Sequence, residues 1–130
     1  MPRLTSKQIN ELANRFLALA QSIGDYRMKH FDTLTRAQNR KIRESHRRIL
    51  IYSDDLFTMS ATLVMADVED SLARIANITE KITSTYKNLQ NVQKAINIAA
   101  GVVTVGASIF SRSPLAILDA LGKLEKTWDA

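Results

Sequence analysis

Between Gly24 and Gly101 lie 76 residues containing neither glycine nor proline. These two residues are the usual punctuation of a fold, so a run of that length without them argues for long helices. Overlapping its end, the stretch from Ala95 to Ser111 carries no charge at all. The first feature constrains the fold and the second raises the question of what the chain contacts.

A chain of 130 residues is expected to form one domain, 1–130, large enough to bury a core without disulfides or a metal. Its 45% apolar and 24% charged residues are those of a globular chain rather than a disordered one. There is no cysteine, which removes disulfides, thiolate metal ligands and cysteine nucleophiles together. The segment Met1 to Lys7 has no apolar run that could act as a secretory signal, so a cytoplasmic location is the default expectation, with peripheral membrane association or signal-free export as alternatives.

Charge is unevenly spread. Residues 1–48 hold eleven Lys/Arg against four Asp/Glu, whereas residues 49–91 hold three against six. A basic front and an acidic middle suit an anionic partner or self-association through complementary faces.

Thr5 and Gln8 have capping-box spacing, and Ile9, Leu12, Phe16, Leu19 and Ile23 then recur every three or four residues. Gly24-Asp25 is the first place at which the chain can turn, and Asp32 with Thr35 marks a second helix start. From Ile42 a seven-residue repeat follows: Ile42, Ile49, Leu56 and Leu63, with Tyr52, Met59 and Ala66. A second repeat has Ile75, Ile82, Leu89 and Ile96, with Ile78, Val92 and Ala99. Twelve residues separate Leu63 from Ile75, so the phase breaks between the repeats, and Asp67-Val68-Glu69-Asp70 suits a turn entering a new helix. An unbroken helix, or an earlier break at Ser53-Asp54-Asp55, fits the same residues. Ser113-Pro114 marks the last start: serine as cap, proline in the first turn. Ile117, Leu121, Leu124 and Trp128 then form a stripe that needs the preceding helix as partner.

The expected fold is all-α. It is an elongated bundle of about four helices over 5–30, 33–66, 68–110 and 114–128, with the two long ones antiparallel and packed in heptads. Helices of more than about thirty residues span over ~45 Å. Ile75, Ile78, Ile82, Leu89, Val92 and Ile96 are the candidate core or association residues.

Three segments are candidates for function. In the uncharged segment, Ala100, Gly101, Val103, Thr104, Gly106 and Ser108 make a close-packing or membrane surface, with Asn97, Gly101, Thr104 and Ser108 on one helical face. Its length, ~25 Å as a helix, falls just short of a ~30 Å hydrocarbon core. The ordinary reading is a buried core helix; the alternative is an apolar hairpin, 95–124, that inserts into lipid. That hairpin resembles the apolar head segments of α-helical pore-forming toxins, a resemblance that implies membrane activity.

The second segment is basic. Arg36, Arg40, Arg43 and Arg47 recur at helical spacing as one stripe, flanked by Lys41 and Arg48 and offset only by Glu44. Such a stripe can track phosphates or anionic headgroups, or remain a solvated face that pairs with acidic protein. No aromatic residues are interleaved to stack bases.

Third, Arg40 and His46 are similar in spacing to the Arg-x(4–6)-His motif of the small helical HEPN ribonucleases. That resemblance implies His46 as acid/base and Arg40 as phosphate stabiliser, although in that family the motif lies late in the domain. His30 and His46 lack carboxylates at ligand spacing, so no metal and no cofactor is expected. Asp54 and Asp55 are adjacent and diverge on a helix. Asn77-Ile78-Thr79 matches a glycosylation sequon, which without a signal is incidental. The expectation is a non-enzymatic helical-bundle protein acting by association with a protein partner or with itself, in a toxin- or secretion-type assembly. Membrane-active and nucleic-acid-binding readings are the alternatives.

Overall fold

A computed structural model describes residues 3–58, 63–111 and 113–130. They form five α-helices: α1 (Ser6–Lys29), α2 (Arg36–Thr58), α3 (Val68–Thr85), α4 (Val92–Phe110) and α5 (Pro114–Asp129). Short 3-10 turns at Phe31–Thr33 and Tyr86–Asn88 join α1 to α2 and α3 to α4.

The capping box forms as the spacing predicts. Gln8 N donates to Thr5 Oγ1 at 3.1 Å, and Thr5 N donates to Gln8 Oε1 at 2.8 Å. α1 runs straight through Gly24-Asp25, without the turn those residues allow. Its apolar face is buried at Ile9, Leu12, Phe16, Leu19 and Ile23. The cap of α2 is Thr35 rather than Asp32: Thr35 and Gln38 repeat the same reciprocal bonds at 3.1 and 2.9 Å. Asp32 lies in the 3-10 turn.

α2 doubles back along α1. Near the turn Arg27 Nε donates to Asn39 Oδ1 at 2.7 Å, and farther along the buried Ser53 Oγ donates to Ala13 O at 2.9 Å. Ile42, Ile49 and Leu56 fill the seam. The expected helix over 33–66 is too long. Leu63–Met65 is extended, and Leu4 N donates to Leu63 O at 3.0 Å in an isolated antiparallel bridge pairing Arg3 with Val64. Alternation then buries Leu63 and Met65. Ala66 is half-buried in the following turn, and Met59 lies outside the described residues.

The phase break falls where the two repeats lose register. Asp67 sits in the left-handed region at φ 47°, its carbonyl accepts from Ser71 N at 2.8 Å, and α3 begins at Val68 with Glu69 and Asp70 in its first turn. Asp54 and Asp55 remain inside α2.

The single helix expected over 68–110 is two helices. α3 ends at Thr85, Leu89 is extended, and Asn91 starts α4 by accepting from Lys94 N at 3.0 Å. Tyr86 fixes the break: its hydroxyl donates to Ala95 O at 2.7 Å, and its ring packs on Tyr26 at 5.1 Å. The heptad is therefore interrupted. Ile75, Ile78, Ile82, Ile96 and Ala99 are buried, while Leu89 and Val92 are half-buried against the same core. None of the five helices reaches thirty residues, so the sequence's basis for an elongated bundle is lost.

α5 packs on α4, as its stripe requires. Ile117, Leu121 and Leu124 are buried, Trp128 is half-buried, and Pro114 takes the first turn. Ser113 stands at the cap position without a side-chain cap bond; its carbonyl accepts from Ala116 N at 3.1 Å. A half-buried bidentate pair, Arg74 to Glu125 at 2.6 and 3.1 Å, clamps α3 to α5. All five helices contribute to one core.

Candidate interaction surface

Of the three candidate segments, the basic one stands out as a surface. α2 buries Ile42, Ile49, Ser53 and Leu56, which leaves its opposite side to solvent. Arg36, Arg40, Arg43 and Arg47 are all exposed there, as are Lys41 and Arg48. Among the described residues the ion pairs are Arg74–Glu125 and Lys123–Asp119, so none of these six cations has a carboxylate partner. Glu44, in their midst, is also exposed and unpaired among the described residues.

This charge pattern does not serve α2 itself. A helix favours anions in its first turn and cations in its last. α2 has no acidic residue in its first turn and no basic residue in its last, with Asp54 and Asp55 near its C-terminal end. The arrangement runs against the helix dipole along its whole length.

Two depressions adjoin the face. One, of about 600 Å³, is lined by Glu44, Arg47, Arg48, Ile51 and Tyr52. The other, of about 370 Å³, lies between α2 and α4 and is lined by Lys41, Glu44, Ser45, Arg48, Ile96, Ala100, Val103 and Thr104. Both are open to solvent, and both mix basic side chains with apolar walls. Ile51, 53% exposed, projects beside the first.

The uncharged segment divides between core and surface. Ile98, Ala99, Val102, Val105 and Ile109 face inward, whereas Asn97, Ala100, Thr104 and Ala107 face out. The small-residue face therefore has no single environment. Gly101 is half-buried against Leu124, where a Cβ would come within 2.9 Å of that side chain. Gly106 is buried under the Tyr52 ring, where a Cβ would come within 2.4 Å. Ser108 is buried and donates to Val105 O at 2.7 Å, and Val103 is half-buried. α4 as a whole is long and apolar enough to cross a membrane by length and composition, with half of it buried in the core.

The structure does not bring Arg40 and His46 together. Six residues apart, they diverge by about 120° around α2. Arg40 is solvent-exposed; the half-buried His46 ring turns toward α1, where it would lie 3.2 Å from a Cβ on Gly24. Burial holds His46 below its ordinary value of 6.5, and the nearby Arg27 adds to that. His30 stacks on Tyr26 at 4.2 Å, and its Nε2 donates to Lys87 O at 2.8 Å, so it serves to join α1 to the turn before α4.

Ile51 and the Asp54-Asp55 pair did not emerge from sequence reasoning as site residues. The available signal was an isoleucine flanked by charges, nine residues from Ile42 and so about half a turn out of the buried phase. Comparison of the chain with known protein families, curated proteins and solved structures finds no match.

Proposed function

We propose that this is a non-enzymatic helical interaction protein, a component of a multi-protein assembly, that docks an acidic protein surface on the outer face of α2. The observation that carries the reading is the set of six exposed cations on that helix, unpaired among the described residues and opposed to its dipole. Such charges speed encounter and fix orientation more than they add affinity, and the apolar walls beside them supply burial. The heptad isoleucines are used inside the chain, so association falls to the outer face of α2 rather than to the repeat.

The test is binding of polyglutamate by the full chain, followed at low and high salt. The expected result is binding that weakens with salt and is lost in Arg40→Glu/Arg43→Glu, with helicity by circular dichroism unchanged. Duplex RNA and anionic vesicles serve as parallel probes. Binding to either that exceeds the polyglutamate signal, and is lost in the same variant, overturns the acidic-protein reading.

A membrane reading is favoured by one observation, the apolar length of α4, about 28 Å of helix. Against it, the large apolar residues of that helix are already spent on the core. Insertion of α4 and α5 would require them to leave α2 and α3. Vesicle flotation that persists in high salt and disappears in Val103→Asp would establish that reading; no flotation leaves α4 a core helix.

A further inference from the structure

The outer face of α2 is self-complementary. Ile51 lies about 180° around the helix from Ile42, at the point farthest from the core, and is 53% exposed. Arg47 and Arg48 stand four and three residues before it, and Asp54 and Asp55 stand three and four after it; all four are exposed. At about 100° per residue, Arg47 and Asp54 fall on one flank of Ile51, and Arg48 and Asp55 on the other.

A two-fold axis beside Ile51, perpendicular to α2, lays two copies of the helix antiparallel. The flanks are then preserved, so Arg47 of each copy faces Asp54 of the other, and Arg48 faces Asp55. Ile51 meets Ile51 at the centre. We infer that the partner of this face is a second copy of the chain, and that the protein forms an isologous dimer through α2. This inference rests on the reading of the outer face of α2 as the docking surface.

Three observations converge on it. No intramolecular carboxylate satisfies Arg47 or Arg48 among the described residues, and no cation satisfies Asp54 or Asp55. The depression of about 600 Å³ lined by Glu44, Arg47, Arg48, Ile51 and Tyr52 gives the second copy's side chains a place to enter. Finally, α2 carries cations toward its N-terminal half and anions toward its C-terminal end, contrary to its own dipole. Antiparallel apposition about Ile51 sets Arg47 and Arg48 against Asp54 and Asp55, and each helix dipole against its reverse. One isoleucine and two kinds of ion pair make a small contact, so the dimer is salt-sensitive rather than obligate.

Sedimentation equilibrium of the full chain, at about 0.05 M and about 0.5 M salt, reads this directly, since the Debye length shortens about threefold between them. The expected result is a dimer mass at low salt that falls toward the monomer at high salt. Two charge-reversed variants follow: Arg47→Glu/Arg48→Glu and Asp54→Lys/Asp55→Lys. Each faces like charges across the axis and is expected to weaken dimerisation at least about tenfold. Mixed together they restore complementary charges, and a heterodimer forms. Ile51→Ser, which changes no charge, weakens the dimer as well. Because all these positions are exposed, circular dichroism is expected to stay unchanged.

A wild-type chain that is monomeric at low salt overturns the dimer. A dimer that persists in both reversed variants overturns its placement on α2. In either event the acidic-partner reading stands or falls separately, on polyglutamate binding and the Arg40/Arg43 variant.

Discussion

Two tyrosines in contact illustrate how differently one residue type can be used in the same core. Tyr26 and Tyr86 are both fully buried, yet the Tyr86 hydroxyl donates to Ala95 O and the Tyr26 hydroxyl has no partner among the described residues. Burial pushes both hydroxyls above their ordinary value of 10.0, so both stay neutral. Tyr86→Phe removes a satisfied bond and is expected to cost about 1 kcal/mol. Tyr26→Phe relieves an unmatched buried hydroxyl and is expected to be neutral or stabilising by up to about 1 kcal/mol. Thermal unfolding of the two variants checks the contrast; a loss on Tyr26→Phe as large as that on Tyr86→Phe would contradict it. Neither role was legible in the sequence. The break at Tyr86 lacks glycine and proline, and only the run of Ser84, Thr85, Asn88 and Asn91 hinted at it.

At the scale of the element, α4 shows why small residues belong in a packed helix. Gly106 lets the Tyr52 ring close on the backbone, where that ring also stacks on Phe110 at 5.5 Å and meets Phe16 edge-on at 6.4 Å. Gly106→Ala forces the ring away and is expected to destabilise by about 1–3 kcal/mol. Gly122, in α5, has nothing among the described residues within 4 Å of its added Cβ. There the same change is expected to stabilise by up to about 1 kcal/mol, because alanine is the better helix former. Denaturant unfolding of both variants reads the opposite signs; equal effects would mean that packing around Gly106 is looser than the structure has it. The uncharged stretch that begins at Ala95 read first as a core helix, with lipid insertion as the alternative. In the structure α2 and α5 cover its apolar side.

For the whole molecule, two ionisable groups tilt the pH dependence the same way. Hydrogen bonding to Arg74 holds the Glu125 carboxyl below its ordinary value of 4.5. Its contribution is complete above that value and is lost as pH falls through the lower, folded value. Burial depresses His46, so below its ordinary 6.5 the unfolded chain takes up the proton first and stability is lost as pH falls. Stability is therefore expected to rise from pH 4 to pH 7, with the upper part of the rise flattened in His46→Gln and the lower part in Glu125→Gln. Melting temperatures across that range test it, and an upper slope unchanged in His46→Gln would remove that residue from the account.

The sequence by itself determined that the chain is helical, where its first helix begins, which faces are apolar, and that a basic front precedes an acidic middle. These are local properties: caps act over three residues, and a stripe repeats every three or four. Tertiary structure alone decided that 68–110 divides at Tyr86 and that Leu63–Met65 pairs as extended chain with the N-terminal segment. It also decided that His46 turns inward while Ile51 stays out. The physical reason is shared by all of these. Each depends on a partner distant in sequence, and whether a contact across the fold outweighs local helix propensity cannot be read until the helices have been packed.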